Sequence, residues 1–205
     1  MTLPPTSSWF PIGKQLRIPY EAAQGRRVNV LGAYFTHGPS AGRFAYQTWA
    51  VLPKSRAKKQ RKSVEQVAAD HGLRVDDVGA IDSERLVSFV WEIAGRGDGA
   101  AEGWQRERRL MVVLDKYSVH TSQVVEQARP VLKAAGVELV NLPSYSPELS
   151  RIEPVWNDVK QHQLPVRSFE KVADLKHAVD VALARKAAQL YRVSEKATDV
   201  HHLST

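Results

Sequence analysis

"RRLMVVLD", Arg108 to Asp115, is a continuous apolar run that ends in an acid. An unbroken run of this length, as opposed to an alternating one, reads as a strand buried on both faces. Downstream, "SQVVEQARPVLKAAG" (Ser122 to Gly136) has helical spacing, with Pro130 expected to interrupt the helix or delay its start. "VELVNLP" (Val137 to Pro143) then reads as a second buried strand and "PVWNDVKQHQ" (Pro154 to Gln163) as a helix. Strand, helix, strand, helix implies a parallel pair joined by a right-handed crossover, and hence an α/β fold.

Upstream, "RRVNVLGAYF" (Arg26 to Phe35) and "GRFAYQTWAVL" (Gly42 to Leu52) are β-rich runs on either side of the Gly/Pro turn "THGPSA", which predicts an antiparallel hairpin. A basic stretch follows over 53–62, with Lys54, Arg56, Lys58, Lys59, Arg61 and Lys62; with almost nothing apolar to bury, it reads as a solvated loop. "SVEQVAADHG" has Ser63 and Gln66 at capping-box spacing and Gly72 as a stop. "DSERLVSFVWEIAG" puts Leu86, Phe89, Val90 and Ile93 on one helical face after a cap at Ser83. Near the C-terminus, Phe169, Val172, Leu175, Val179, Ala182 and Leu183 share a face of a long amphipathic helix capped by Ser168. The chain divides on this reading into a domain over 1–165 and a helix with its tail over 166–205.

Composition narrows the function. A chain of 205 residues, 43% hydrophobic, can bury a sizeable core. Its 29 Lys and Arg against 22 Asp and Glu give a net charge of +7, which favours polyanionic partners such as nucleic acid. There is no cysteine, which excludes disulfides and thiolate zinc sites and suits a reducing cytoplasm. No leader or membrane-spanning run is legible, so a cytoplasmic protein without membrane association is expected.

The chemistry is expected where the parallel strands end, because polar groups at the carboxyl ends of strands converge on a shared crevice. Asp115 ends one strand and Glu153 lies beyond the next. Two carboxylates brought together repel each other, and a hard divalent cation such as Mg²⁺ relieves the repulsion.

At these residues the chain resembles a family. "VVLDKYSVHTS" followed by "VELVNLPSYSPELSRIEPVWNDVK" resembles the signature of the DDE transposases of mariner-like bacterial insertion sequences, in which the second catalytic Asp ends a strand and the catalytic Glu follows an "LPxYSPxLNPIExxW" turn. The resemblance implies an RNase H-like mixed sheet flanked by helices. It also implies three carboxylates holding two Mg²⁺ or Mn²⁺ ions for cleavage and strand transfer at DNA phosphodiesters. Asp115 and Glu153 correspond to the second and third acids, as catalytic residues and metal ligands, and Lys54 to Lys62 would contact DNA. Lys116 stands where the family usually has Asn, and "SRIE" replaces "NPIE".

The family's first Asp lies on a strand ahead of the hairpin, upstream of a Trp that would match Trp9, and no Asp precedes Asp70 here. The expectation is therefore an N-terminally truncated catalytic domain lacking its first, central strand and inactive alone. Its expected partners are transposon-end and target DNA, and either the missing N-terminal part or a second copy, at the bacterial nucleoid.

Other readings of the same residues exist. Asp115 could cap the following helix, Glu153 could form a capping box with Ser150, Trp156 could be core, and His120 could support the turn after the strand. A different class of function, a non-enzymatic DNA-binding module, would use "SVEQVAADHGLRVDDVGAI" as a helix-turn-helix with Arg74 facing phosphates.

Overall fold

A computed structural model describes residues 26–52, 63–97, 99–115, 117–143, 146–165 and 169–202. The described chain is a mixed α/β structure with five α-helices and two small sheets, the fold class the sequence predicts. Strands β1 (Arg27–Tyr34) and β2 (Phe44–Val51) form the expected antiparallel hairpin, in register from Arg27 opposite Val51 to Tyr34 opposite Phe44. Strands β3 (Leu110–Leu114) and β4 (Val137–Asn141) form the expected parallel pair, from Leu110 beside Val137 to Leu114 beside Asn141. Among the described residues each pair is a sheet of two strands.

Local chemistry sets the helix ends. Helix α1 (Val64–Asp70) opens on the full capping box between Ser63 and Gln66 and stops at Gly72, whose φ of +69° suits a residue without Cβ. Helix α2 (Ser83–Ala94) begins one residue away from expectation: Asp82, not Ser83, is the cap, its carboxylate accepting from the Arg85 N–H at 2.8 Å. Helix α3 (Gln123–Ala134) is capped by Ser122 and runs through Pro130. The expected interruption does not occur. Val125 and Leu132 are fully buried on either side of Pro130, and Arg129 donates to the Leu139 carbonyl at 2.7 Å. These contacts hold the helix across the missing N–H.

Helix α4 (Glu153–Asp158) continues as a π-helical turn over Val159–Gln163, and α5 spans Val172–His202. Ser168 lies outside the described residues, while Phe169 precedes α5 and is buried.

Two cores follow from strand alternation. On one face of the hairpin, Leu31, Phe35 and Trp49 join Leu86, Phe89, Val90 and Ile93 of α2, Val125 and Leu132 of α3, and Val137 of β4. On the other face, Phe44 joins Val155, Val159, Leu164 and Phe169 with Leu175, Val179, Ala182 and Leu183 of α5. Both sheets thus share the layer made by α2 and α3.

The parallel pair departs from the expected burial on both faces. Leu110, Val112 and Leu139 pack on the first core, but Met111 is 63% and Val113 52% exposed, because no described element covers the opposite face of β3. The sequence between α1 and α2 departs from a helix-turn-helix. Its would-be recognition helix is a three-residue 3-10 turn, Val75–Asp77, and Arg74 is ion-paired with Asp77 at 3.0 Å. Asp77 in turn meets Lys176 of α5 at 3.1 Å. The second half of the segment is tied to α5 and forms no recognition helix.

Candidate active site

Asp115 follows the last residue of β3, at the carboxyl end of the parallel pair, where the Leu142 N–H donates to the Leu114 carbonyl at 2.7 Å. Its side chain is 60% exposed. It does not cap the next helix, a role Ser122 fills. The Asp115 Oδ1 accepts instead from the Tyr117 N–H at 3.3 Å and lies 2.6 Å from His120 Nδ1, which is also 3.0 Å from the Asp115 carbonyl. With Nδ1 as donor, one imidazole N–H serves both oxygens and fixes the carboxylate against its own backbone. Both contacts use Oδ1, leaving Oδ2 directed to nothing described.

His120 therefore does support the turn after the strand, as the sequence suggests. The sequence reading missed its direct hold on the Asp115 carboxylate. The available signal was its position five residues after the acid, within reach once a 3-10 turn, Ser118–Thr121, folds the chain back.

Glu153 is the first residue of α4. The helix has Ile152 at its cap position without a side-chain bond, and Pro154 immediately follows. The capping box with Ser150 does not form: the Ser150 carbonyl accepts from the Glu153 backbone N–H at 3.1 Å, and the Glu153 carboxylate bonds to no described residue. Pro is at home here, since the first-turn N–H groups have no partner within the helix and its fixed φ suits a helix start.

Trp156 anchors the helix as expected. Its ring stacks edge-on against Phe44 at 5.4 Å between centroids, and it lies so close to Gly32 that a Cβ there would fall 2.6 Å from the indole. Glycine is required at position 32 for this approach, which sets the start of α4, and with it Glu153, against the hairpin.

Asp115 and Glu153 thus each follow a strand of the parallel pair. Among the described residues, no group of three or more His, Cys, Asp or Glu is placed to hold a metal. The donors fit a hard cation in kind: carboxylate oxygens, with no thiolate in the chain, suit Mg²⁺ or Mn²⁺ over soft metals. They are two in number, fewer than the three of the full family set. Lys54, Arg56, Lys58, Lys59, Arg61 and Lys62 lie outside the described residues, as do Lys116 and Trp9.

An electrostatic knot lies apart from these carboxylates. The Arg74 guanidinium, with Lys176 beside it, holds the Asp77 carboxyl at about 2. Burial pulls the Lys176 ammonium down, but its bonds to Asp180 and Asp77 outweigh that and raise it above its ordinary value. Thr48 of β2 donates to Asp180, so the knot ties the hairpin, the 3-10 turn and α5 together.

Residues 78–176 match a family model described as DDE superfamily endonuclease. The match takes in α2 to the start of α5, with both Asp115 and Glu153, and it supports a DDE transposase-like domain with transposase-like nuclease activity. DNA is the substrate class this implies, and DDE superfamily nucleases generally use divalent metals. No curated protein matches the chain. Among the described residues no helix is long and apolar enough to cross a membrane.

Proposed function

We propose that this chain is the catalytic-domain part of a transposase of mariner-like insertion sequences, acting in metal-dependent cleavage and strand transfer of DNA. Asp115 and Glu153 are the residues that would hold Mg²⁺ or Mn²⁺. The observation that carries this reading is the pairing of position with availability. Within the matched segment, one acid closes β3 with Oδ2 uncommitted and another opens α4 with its carboxylate bonded to no described residue.

When bound, a divalent cation in such a site supplies Lewis-acid stabilisation to the phosphodiester and acidifies a bound water. The chain's own residues orient the donors. His120 fixes Asp115, while Pro154 and Trp156 fix Glu153. All three act through the acid they hold in place and are positioning residues on this reading. Lys54 to Lys62 would add sequence-independent attraction for the phosphate backbone.

Two acids are fewer than a two-ion site requires, so full activity needs a further acid from an N-terminal transposase part or a second copy. The test is nicking and strand transfer on supercoiled DNA with Mg²⁺ or Mn²⁺, using residues 1–205 and the same chain with an N-terminal extension carrying an Asp strand. Activity confined to the extended chain, and abolished by Asp115→Ala or Glu153→Ala, supports the proposal. Activity that survives both substitutions overturns it.

A further inference from the structure

Just beyond Asp115 the chain turns an aromatic ring toward solvent. Tyr117 is 59% exposed, and among the described residues it belongs to neither core. The residue is nonetheless held in place. Its N–H donates to Asp115 Oδ1 at 3.3 Å, and its carbonyl accepts from the His120 N–H at 2.9 Å as the 3-10 turn begins. Its ring meets the His120 imidazole edge-on, with 6.0 Å between centroids and 73° between planes. The same imidazole lies 2.6 Å from Asp115 Oδ1, so one side chain fixes both the carboxylate and the ring.

An edge-on contact occupies at most one face of the phenol, which leaves a flat face open beside the acid. Nucleobases stack on such faces, and because every base has a π-face the contact needs no particular sequence. Inside a duplex those faces are covered by neighbouring base pairs. A nucleotide taken out of the stack offers one. The position also suits the fold. Tyr117 lies past Leu114, the last residue of the β3–β4 ladder, so a further strand paired along β3 would adjoin the ladder and not the turn.

We propose that Tyr117 is a substrate-contacting residue that stacks on an unpaired base next to the phosphodiester held at Asp115. The placement at the acid rests on the catalytic reading given above, and Tyr117 adds the form of the substrate: DNA unpaired at the reacting nucleotide, not intact duplex. His120 couples the two, because the imidazole that orients the acid also orients the ring. A tyrosine suits this task, since a rigid ring presents a large contact area with few torsions to order on binding.

The test is the affinity of the full chain for a short oligo(dT) and for a duplex of the same length, by fluorescence anisotropy in EDTA, where no metal takes part. Tyr117→Ala and Tyr117→Leu should each weaken oligo(dT) binding about 5- to 150-fold, the loss of one stacked base, and change duplex binding less than about 2-fold. Tyr117→Phe should bind like the wild type. Leu keeps an apolar side chain against His120 without a π-face, so it separates stacking from support of the turn. A wild type that does not bind oligo(dT), an affinity unchanged in Tyr117→Leu, equal losses on both DNAs, or a loss in Tyr117→Phe as large as in Tyr117→Leu overturns the proposal. Mn²⁺ binding by Asp115→Ala and Glu153→Ala is read separately. Unchanged oligo(dT) affinity in Tyr117→Leu beside acid-dependent Mn²⁺ binding therefore removes the stacking alone, whereas Mn²⁺ binding that ignores both acids removes the catalytic reading.

Discussion

The hairpin β1–β2 and the parallel pair β3–β4 rest on the same helices, α2 and α3, yet they are finished differently. The hairpin is covered twice. Leu31, Ala33 and Trp49 belong to the core lined by α2 and α3, and Val30, Phe44 and Tyr46 to the core lined by α4 and α5. The parallel pair is covered once, with Met111 and Val113 left facing outward. A run such as "LMVVL" shows that a strand can be buried on both faces; what packs on it decides whether it is. The candidate acids divide along the same line, Asp115 on the open pair and Glu153 on the helix that closes over the hairpin.

The contrast can be broken most forcefully at the shared layer. Leu132 is fully buried in the core to which both sheets contribute, so Leu132→Ala should destabilise by about 2–5 kcal/mol in urea unfolding. A loss under 1 kcal/mol would show that the layer is not a common core.

Gly32→Val attacks only the second cover of the hairpin. Its new side chain meets the Trp156 ring, and overpacking of this kind costs about 1–3 kcal/mol. The same variant should alter Trp fluorescence and, by displacing the start of α4, weaken any function of Glu153. Unchanged fluorescence and stability would detach Trp156 from Gly32.

The knot joining the hairpin to α5 should respond to acid. The folded-state carboxyl of Asp77 lies at about 2, below its unfolded value near 4. Its contribution is therefore present above about pH 4 and is lost as pH falls toward 2. Asp77→Asn should remove that part of the acid dependence while leaving stability at neutral pH lower than in the wild type. Identical pH profiles for the two proteins would count against the knot.

The smallest effect should come from the open face. Met111→Ser should change stability by no more than about 0.5 kcal/mol, as at other exposed sites. A loss above 2 kcal/mol would reveal a cover over β3 and erase the difference between the two sheets.

Most of the scaffold was legible because it is written in local chemistry. The hairpin follows from alternating β-rich runs and a Gly/Pro turn, α1 from the Ser63–Gln66 box, and α2 from the spacing of Leu86, Phe89, Val90 and Ile93. What the sequence misread depended on partners distant in the chain. Pro130 signals a break, but Val125 and Leu132 are gripped from outside the helix, and the outward face of β3 depends on which helices reach it. "LRVDDVGAI" suggests a second helix until Asp77 finds Lys176, far along the chain. At the site, Asp115 and Glu153 were legible as a strand-end acid and a helix-start acid, whereas the grip of His120 on Asp115 required the 3-10 turn.

The central claim, that Asp115 and Glu153 together hold a divalent cation, is tested most directly by titrating Mn²⁺ into the wild type, Asp115→Ala and Glu153→Ala and following its binding by electron paramagnetic resonance. The account predicts that each single substitution weakens Mn²⁺ binding by about tenfold or more, roughly 1.4 kcal/mol. It also predicts that the double variant is little worse than either single one, because the two carboxylates act on one ion. Wild-type affinity in both single variants would contradict it.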